Sequence, residues 1–195
     1  MTSKHRSVQL SIALFGALLV SACGAGATSG APARANLGPA AAQPAGASGM
    51  SARIRALEAQ PFGELANTER TALMLWVSET PTIGVNMVPL LGTFEDLHAL
   101  YGEDAGDAVY FHYVLGMARF ILEHPDRPQN SPVTSSSIEV QAAGVRSALG
   151  FYQRMRVSAP QLARHALCEQ LLTLSSRGAL ERHVGEELHA YGIGG

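Results

Sequence analysis

The chain has one lysine, Lys4, in its 195 residues, together with two cysteines and one tryptophan. With no lysine after residue 4, the folding part can neither form a Schiff base nor use a lysine nucleophile. Charged residues make up 15% of the chain and the formal charge is −2, with no basic run interleaved with aromatics; this excludes the usual footprint of a nucleic-acid binder. The G-x-S-x-G elbow, the P-loop, the G-x-G-x-x-G turn and the H-E-x-x-H metal pair are all missing. Two cysteines are too few for a disulfide framework. These absences leave no positive sign of an enzyme.

What is present starts at the N-terminus. Residues 1–7 carry Lys4 and Arg6 without an acid, and residues 8–20 are mostly apolar, with Leu10, Ile12, Leu14, Phe15, Leu18, Leu19 and Val20. A basic head, a short apolar middle and a small-residue end are the parts of a secretory signal peptide, placed here at residues 1–22. The apolar run falls several residues short of the roughly 20 that span a bilayer. Ala25-Gly26-Ala27 offers one cleavage site, which would release an unanchored secreted protein. Val20-Ser21-Ala22-Cys23 offers another, and it resembles the lipobox of bacterial lipoproteins.

The resemblance covers residues 1–23 and says nothing of the rest. It implies that Cys23 takes a diacylglyceryl group through its thiol, that the chain is cut before Cys23, and that the new amine is acylated with a chain such as palmitate. Several acyl chains at about 0.8 kcal/mol per methylene hold a protein on a membrane, where one chain does so only marginally. The implied location is the bacterial cell envelope. Gly24 is not the Asp-type retention signal of that family, which favours the outer over the inner membrane.

Residues 23–49 are Ala, Gly, Pro and Ser with few exceptions, and cannot bury enough apolar surface to offset ordering entropy. They read as a flexible tether spanning roughly 25–30 Å. Residues 50–195 then form one domain, long enough for a single core. Without its signal peptide the chain keeps 12 basic and 16 acidic residues, a formal charge near −4. Cys168 is left without a thiol to pair with, and reads as a small buried hydrophobe.

Periodicity across 50–195 predicts an all-α domain, a compact bundle or orthogonal array of five to six amphipathic helices. The first ends before Pro61, and the second is capped by Asn67 or Thr68. Ala72-Leu73-Met74-Leu75-Trp76-Val77 is apolar all round, which places this second helix mid-core with Trp76 as anchor. A short helix opens at Thr93, and a longer one carries Tyr110, Val114, Met117 and Ile121 on one stripe. Ser136 with Glu139 forms a capping box for the next, and Ser158-Ala159-Pro160-Gln161 forms a second box for a helix running to Gly178. Ala143, Gly144, Ala148 and Gly150 leave room for another helix. Leu180, Val184, Leu188 and Tyr191 stripe the last.

Ile83, Val85, Met87, Val88, Leu90 and Leu91 form an apolar loop, which packs on the domain's own core or serves as a contact for an envelope partner. The polar, proline-rich loop 125–132 is long for a compact domain and reads first as mobile, with a second contact for a partner as the alternative. Glu95…His98 and Glu186…His189 repeat the Glu-x-x-His spacing that di-iron bundles use. Those bundles need a further glutamate from each of two other long helices; Glu69, Glu123 and Glu139 are available, but Glu123 and Glu139 fall near helix ends and Glu95 on a helix of barely two turns, so no metal and no cofactor is assigned. A small envelope metalloenzyme using these four residues is the alternative they leave. His165-x-x-Cys168 sets an imidazole near a thiol, without an oxyanion hole or an orienting acid in sequence. The reading that results is a lipid-anchored envelope protein whose small helical domain binds a ligand or partner, with no nucleic acid involved.

Overall fold

The computed structural model describes residues 46–81, 83–92, 94–126 and 136–193. The signal peptide, the lipobox with Cys23, nearly all of the tether and most of the 125–132 loop lie outside the described residues.

Seven helices make up the described domain: α1 (Ala47–Ala59), α2 (Glu64–Glu79), α3 (Phe94–Tyr101), α4 (Glu103–Glu123), α5 (Ile138–Ser158), α6 (Ala166–Ser176) and α7 (Leu180–Ala190). The fold is all-α. No strand occurs among the described residues, and none of their helices is long and apolar enough to cross a membrane.

The helix at the centre is α4. Residues 112–118 are all buried, and the helix packs on α1, α2, α3 and, most extensively, α5. Burial on every side is what the sequence predicts for α2 instead. There only Leu73 and Val77 of the apolar run are buried, Trp76 is half-buried and Leu75 is 51% exposed. α2 therefore lies on the surface of the domain, joined to α1 by two Arg53–Glu69 hydrogen bonds of 2.7 and 2.9 Å.

α4 and α5 approach closely because two glycines sit where they cross. A Cβ built on Gly144 would lie 2.7 Å from the Tyr113 carbonyl oxygen, and one on Gly116 would lie 2.5 Å from Ser147 Cβ. No real Cβ fits at such distances, so the crossing requires glycine at both positions. Gly150 behaves differently: its missing side chain faces open space, so no helix approaches there.

Several predicted boundaries shift. α2 starts at Glu64, so Asn67 and Thr68 lie within it, and the Thr68 hydroxyl donates back to the Glu64 carbonyl (3.1 Å). Ser137 rather than Ser136 caps α5, accepting from the Val140 N–H at 3.3 Å. Ser158 ends α5 instead of capping a new helix, and α6 waits until Ala166. Leu180, Val184 and Leu188 are buried along α7, whereas Tyr191 and Ile138 are exposed.

The apolar loop before α3 belongs to the core. Ile83, Val88, Leu90 and Leu91 are buried and Val85 packs against them, leaving Met87 as the exposed member. Polar contacts pin it there: the fully buried Gln141 donates to the Asn86 carbonyl (2.7 Å), and the Tyr113 hydroxyl sits between Gln141 Oε1 and the Val88 carbonyl. As a partner-binding surface the stretch is thus reduced to Met87 and the edge of Val85, since the other four have no exposed face to offer.

Candidate functional site

The two Glu-x-x-His pairs are not brought together. His98 Nε2 pairs with Asp107 at 2.8 Å, tying α3 to α4, while Glu95, Glu186 and His189 are exposed. Among the described residues no group of three or more His, Cys, Asp or Glu gathers to hold a metal. This removes the geometry on which the metalloenzyme alternative depends.

His165 and Cys168 do meet, in a structural role. His165 Nδ1 accepts from the Cys168 N–H at 3.3 Å and so caps α6, which requires the neutral ring with its proton on Nε2. Burial lowers the His165 pKa, consistent with that form. Cys168 is fully buried and its pKa is pushed up to about 12, chiefly by burial, so it carries almost no thiolate at neutral pH. In the Cys23→Ser chain, where Cys168 is the only thiol, a disulfide reagent at pH 8 is expected to react at least roughly a hundredfold slower than in the unfolded chain. Equal rates would show that the thiol is open.

The chemistry that remains concentrates in a cleft of about 200 Å³ between α1, α4 and α5. α4 contributes His112 and Arg119, seven residues apart and so on one face. α5 contributes Arg146, Ser147, Gly150, Phe151 and Arg154, and α1 contributes Glu58. Gly150, between Arg146 and Arg154 at four-residue steps, keeps the space between the two arginines open.

The acids here are already engaged. Glu58 accepts from the Ser147 hydroxyl (2.6 Å) with one oxygen and pairs with Arg119 (3.1 Å) through the other. At the rim Arg146 pairs with Glu181. Arg154 donates to the Ala59 carbonyl at 2.9 Å and has no acidic partner among the described residues. Behind the cleft, Arg70 is 6% exposed, donates to Asn67 Oδ1 and the Pro61 carbonyl at 2.7 Å each, and lies 5.4 Å from the Phe151 ring centre. It too has no carboxylate partner among the described residues, and burial lowers its pKa. Three guanidiniums, those of Arg119, Arg146 and Arg154, thus line the cleft with one carboxylate, Glu58.

His112 lies at the base of the cleft, 1% exposed and stacked on Phe151 with ring centres 4.6 Å apart. Burial, reinforced by Arg70 and Arg154, pushes its pKa down to about 3, so the ring is neutral with one donor and one acceptor. Neither nitrogen has a hydrogen-bond partner among the described residues, and nor does the buried Nε of Arg119. A buried polar group left unpaired costs about 1–3 kcal/mol.

Sequence reading did not find this site. The usable signal is Arg146-x₃-Gly150-x₃-Arg154, two arginines on one helix face with the side chain between them deleted. Compared with protein-family models, with curated proteins and with solved structures, the chain matches none.

Proposed function

We propose that this chain is a lipid-anchored protein of the bacterial cell envelope whose helical domain is a binding module, with the cleft between α1, α4 and α5 as its ligand site. The observation that carries the binding role is His112, a buried neutral imidazole at the base of an arginine-lined cleft, both nitrogens without a partner among the described residues. Binding is favoured over catalysis because Cys168 is buried with a raised pKa and His165 is occupied as a helix cap. The anchor rests on the lipobox-like Val20-Ser21-Ala22-Cys23, and the Ala, Gly and Pro-rich stretch after it supports a tether between membrane and domain.

Replacing Cys23 by Ser separates anchored from secreted. The wild-type chain is expected to incorporate an alkynyl fatty acid and to enter the detergent phase on phase separation, and the Cys23→Ser chain to do neither. If the Ser variant partitions with detergent like the wild type, the anchor is refuted.

A further inference from the structure

We propose that the cleft binds an oxyanion, a carboxylate or phosphate group of a small molecule, held by the Arg119 and Arg154 guanidiniums and by a hydrogen bond from the His112 ring. This rests on the reading of the domain as a binding module and adds the chemical class of its ligand.

Charge decides the class first. Arg154 lines the cleft and has no carboxylate partner among the described residues, and the three lining guanidiniums share one lining carboxylate, Glu58. An anion in the cleft would supply the countercharge that Arg154 lacks. A cation would meet three guanidiniums, with both oxygens of Glu58 already engaged by Ser147 and Arg119. An apolar ligand would leave His112 and Arg119 Nε unsatisfied.

The donor set decides the group. The guanidinium fork matches the paired oxygens of carboxylate and phosphate, and hydrogen bonds to an ionised acceptor are roughly twice as strong as neutral ones. His112 adds one N–H whose direction is fixed by stacking on Phe151. Volume sets the size: about 200 Å³ falls below the 300–1,000 Å³ typical of drug-sized ligands. The space takes a phosphate or small carboxylate rather than a nucleotide.

The same headgroup chemistry occurs on free metabolites and on amphiphiles, and the surroundings allow a test between them. Arg154 also borders a second groove of about 480 Å³, lined by Pro61, Phe62 and Val157, of which Phe62 is 44% and Val157 83% exposed.

The experiment follows the His112 ring nitrogens by NMR in the full-length Cys23→Ser chain, at constant ionic strength. Inorganic phosphate, acetate, decanoate and the neutral acetamide are titrated in turn. At least one anion is expected to shift His112 saturably, with acetamide silent. Arg154→Gln should weaken that anion roughly tenfold or more. Gly150→Leu, which fills the cleft from a position with nothing within 4 Å, should abolish binding while the melting temperature holds. Decanoate binding more tightly than acetate would assign the oxyanion to an amphiphile lying in the Phe62 groove, and equal affinity would assign it to a free small anion. Either supports the proposal. If acetamide alone shifts His112, the oxyanion class falls and the binding module stands. Silence from all four probes, or anion shifts that survive both substitutions, overturns the cleft as the module's site.

Discussion

Gly144→Ala should destabilise the domain by about 3 kcal/mol or more, near the upper end of what overpacking a core does, and lower its melting temperature by roughly 10 °C. The added methyl would sit 2.6 Å from Tyr113 Cδ2, 2.7 Å from Met117 Cγ and 2.7 Å from the Tyr113 carbonyl oxygen. Met117 could swing aside, but the carbonyl belongs to the backbone of α4 and cannot move without shifting the helix. Gly150→Ala, on the same helix, is the matched control. Nothing lies within 4 Å of its Cβ position, so removing glycine's backbone entropy should add about 0.5–1 kcal/mol. Urea denaturation of both variants checks the pair. A loss under about 1 kcal/mol for Gly144→Ala would mean that α4 and α5 do not cross as closely as described. The consequence reaches the cleft, because His112 and Arg119 flank the crossing on α4 while Ser147, Phe151 and Arg154 follow it on α5. Pushing the helices apart should therefore weaken ligand binding along with stability.

That crossing shows where sequence reasoning succeeds and where it stops. The all-α class was legible because each helix carries its apolar residues at helical spacing, as on α4 with Tyr110, Val114, Met117 and Ile121, all buried. Which helix occupies the middle was not legible. Ala72-Leu73-Met74-Leu75-Trp76-Val77 looks like the more apolar segment, yet Leu75 is half exposed, whereas α4 buries His112 and two glycines. Burial is decided by how many neighbours a helix has, and composition does not carry that number. Gly144 and Gly150 are identical letters six positions apart; one accommodates a carbonyl and the other opens a cleft. The box at Ser158-Ala159-Pro160-Gln161 failed for a related reason. Ser158 continues α5, and the cap of α6 falls to a histidine, a residue type that capping rules rank low. The cleft itself was hidden because its residues come from three helices. Only Arg146-x₃-Gly150-x₃-Arg154 lies within one of them, and on a helix surface such a pattern ordinarily marks a solvated face.

His112→Phe should stabilise the domain and abolish ligand binding together. Phenylalanine keeps the stack on Phe151 and removes two buried nitrogens that have no partner among the described residues, a gain of about 1–3 kcal/mol at neutral pH. The gain should widen in acid. His112 has an ordinary value of 6.5 but titrates at about 3 in the fold, held down by burial and by Arg70 and Arg154, so below pH 6.5 the unfolded chain binds a proton that the folded chain refuses. Wild-type stability therefore rises with pH between about 3 and 6.5, and the histidine contributes a penalty of roughly 2 kcal/mol at pH 5 that the variant lacks. Glu58, Arg119 and Arg146, the other charged groups lining the cleft, remain in the variant, so the difference between the two proteins isolates residue 112. Denaturation at pH 7.5 and pH 5 measures the slope, and the same protein titrated with phosphate and decanoate measures binding. A variant that is less stable than wild type at both pH values and still binds anions would mean that His112 is satisfied within the fold, and the cleft would lose its principal donor.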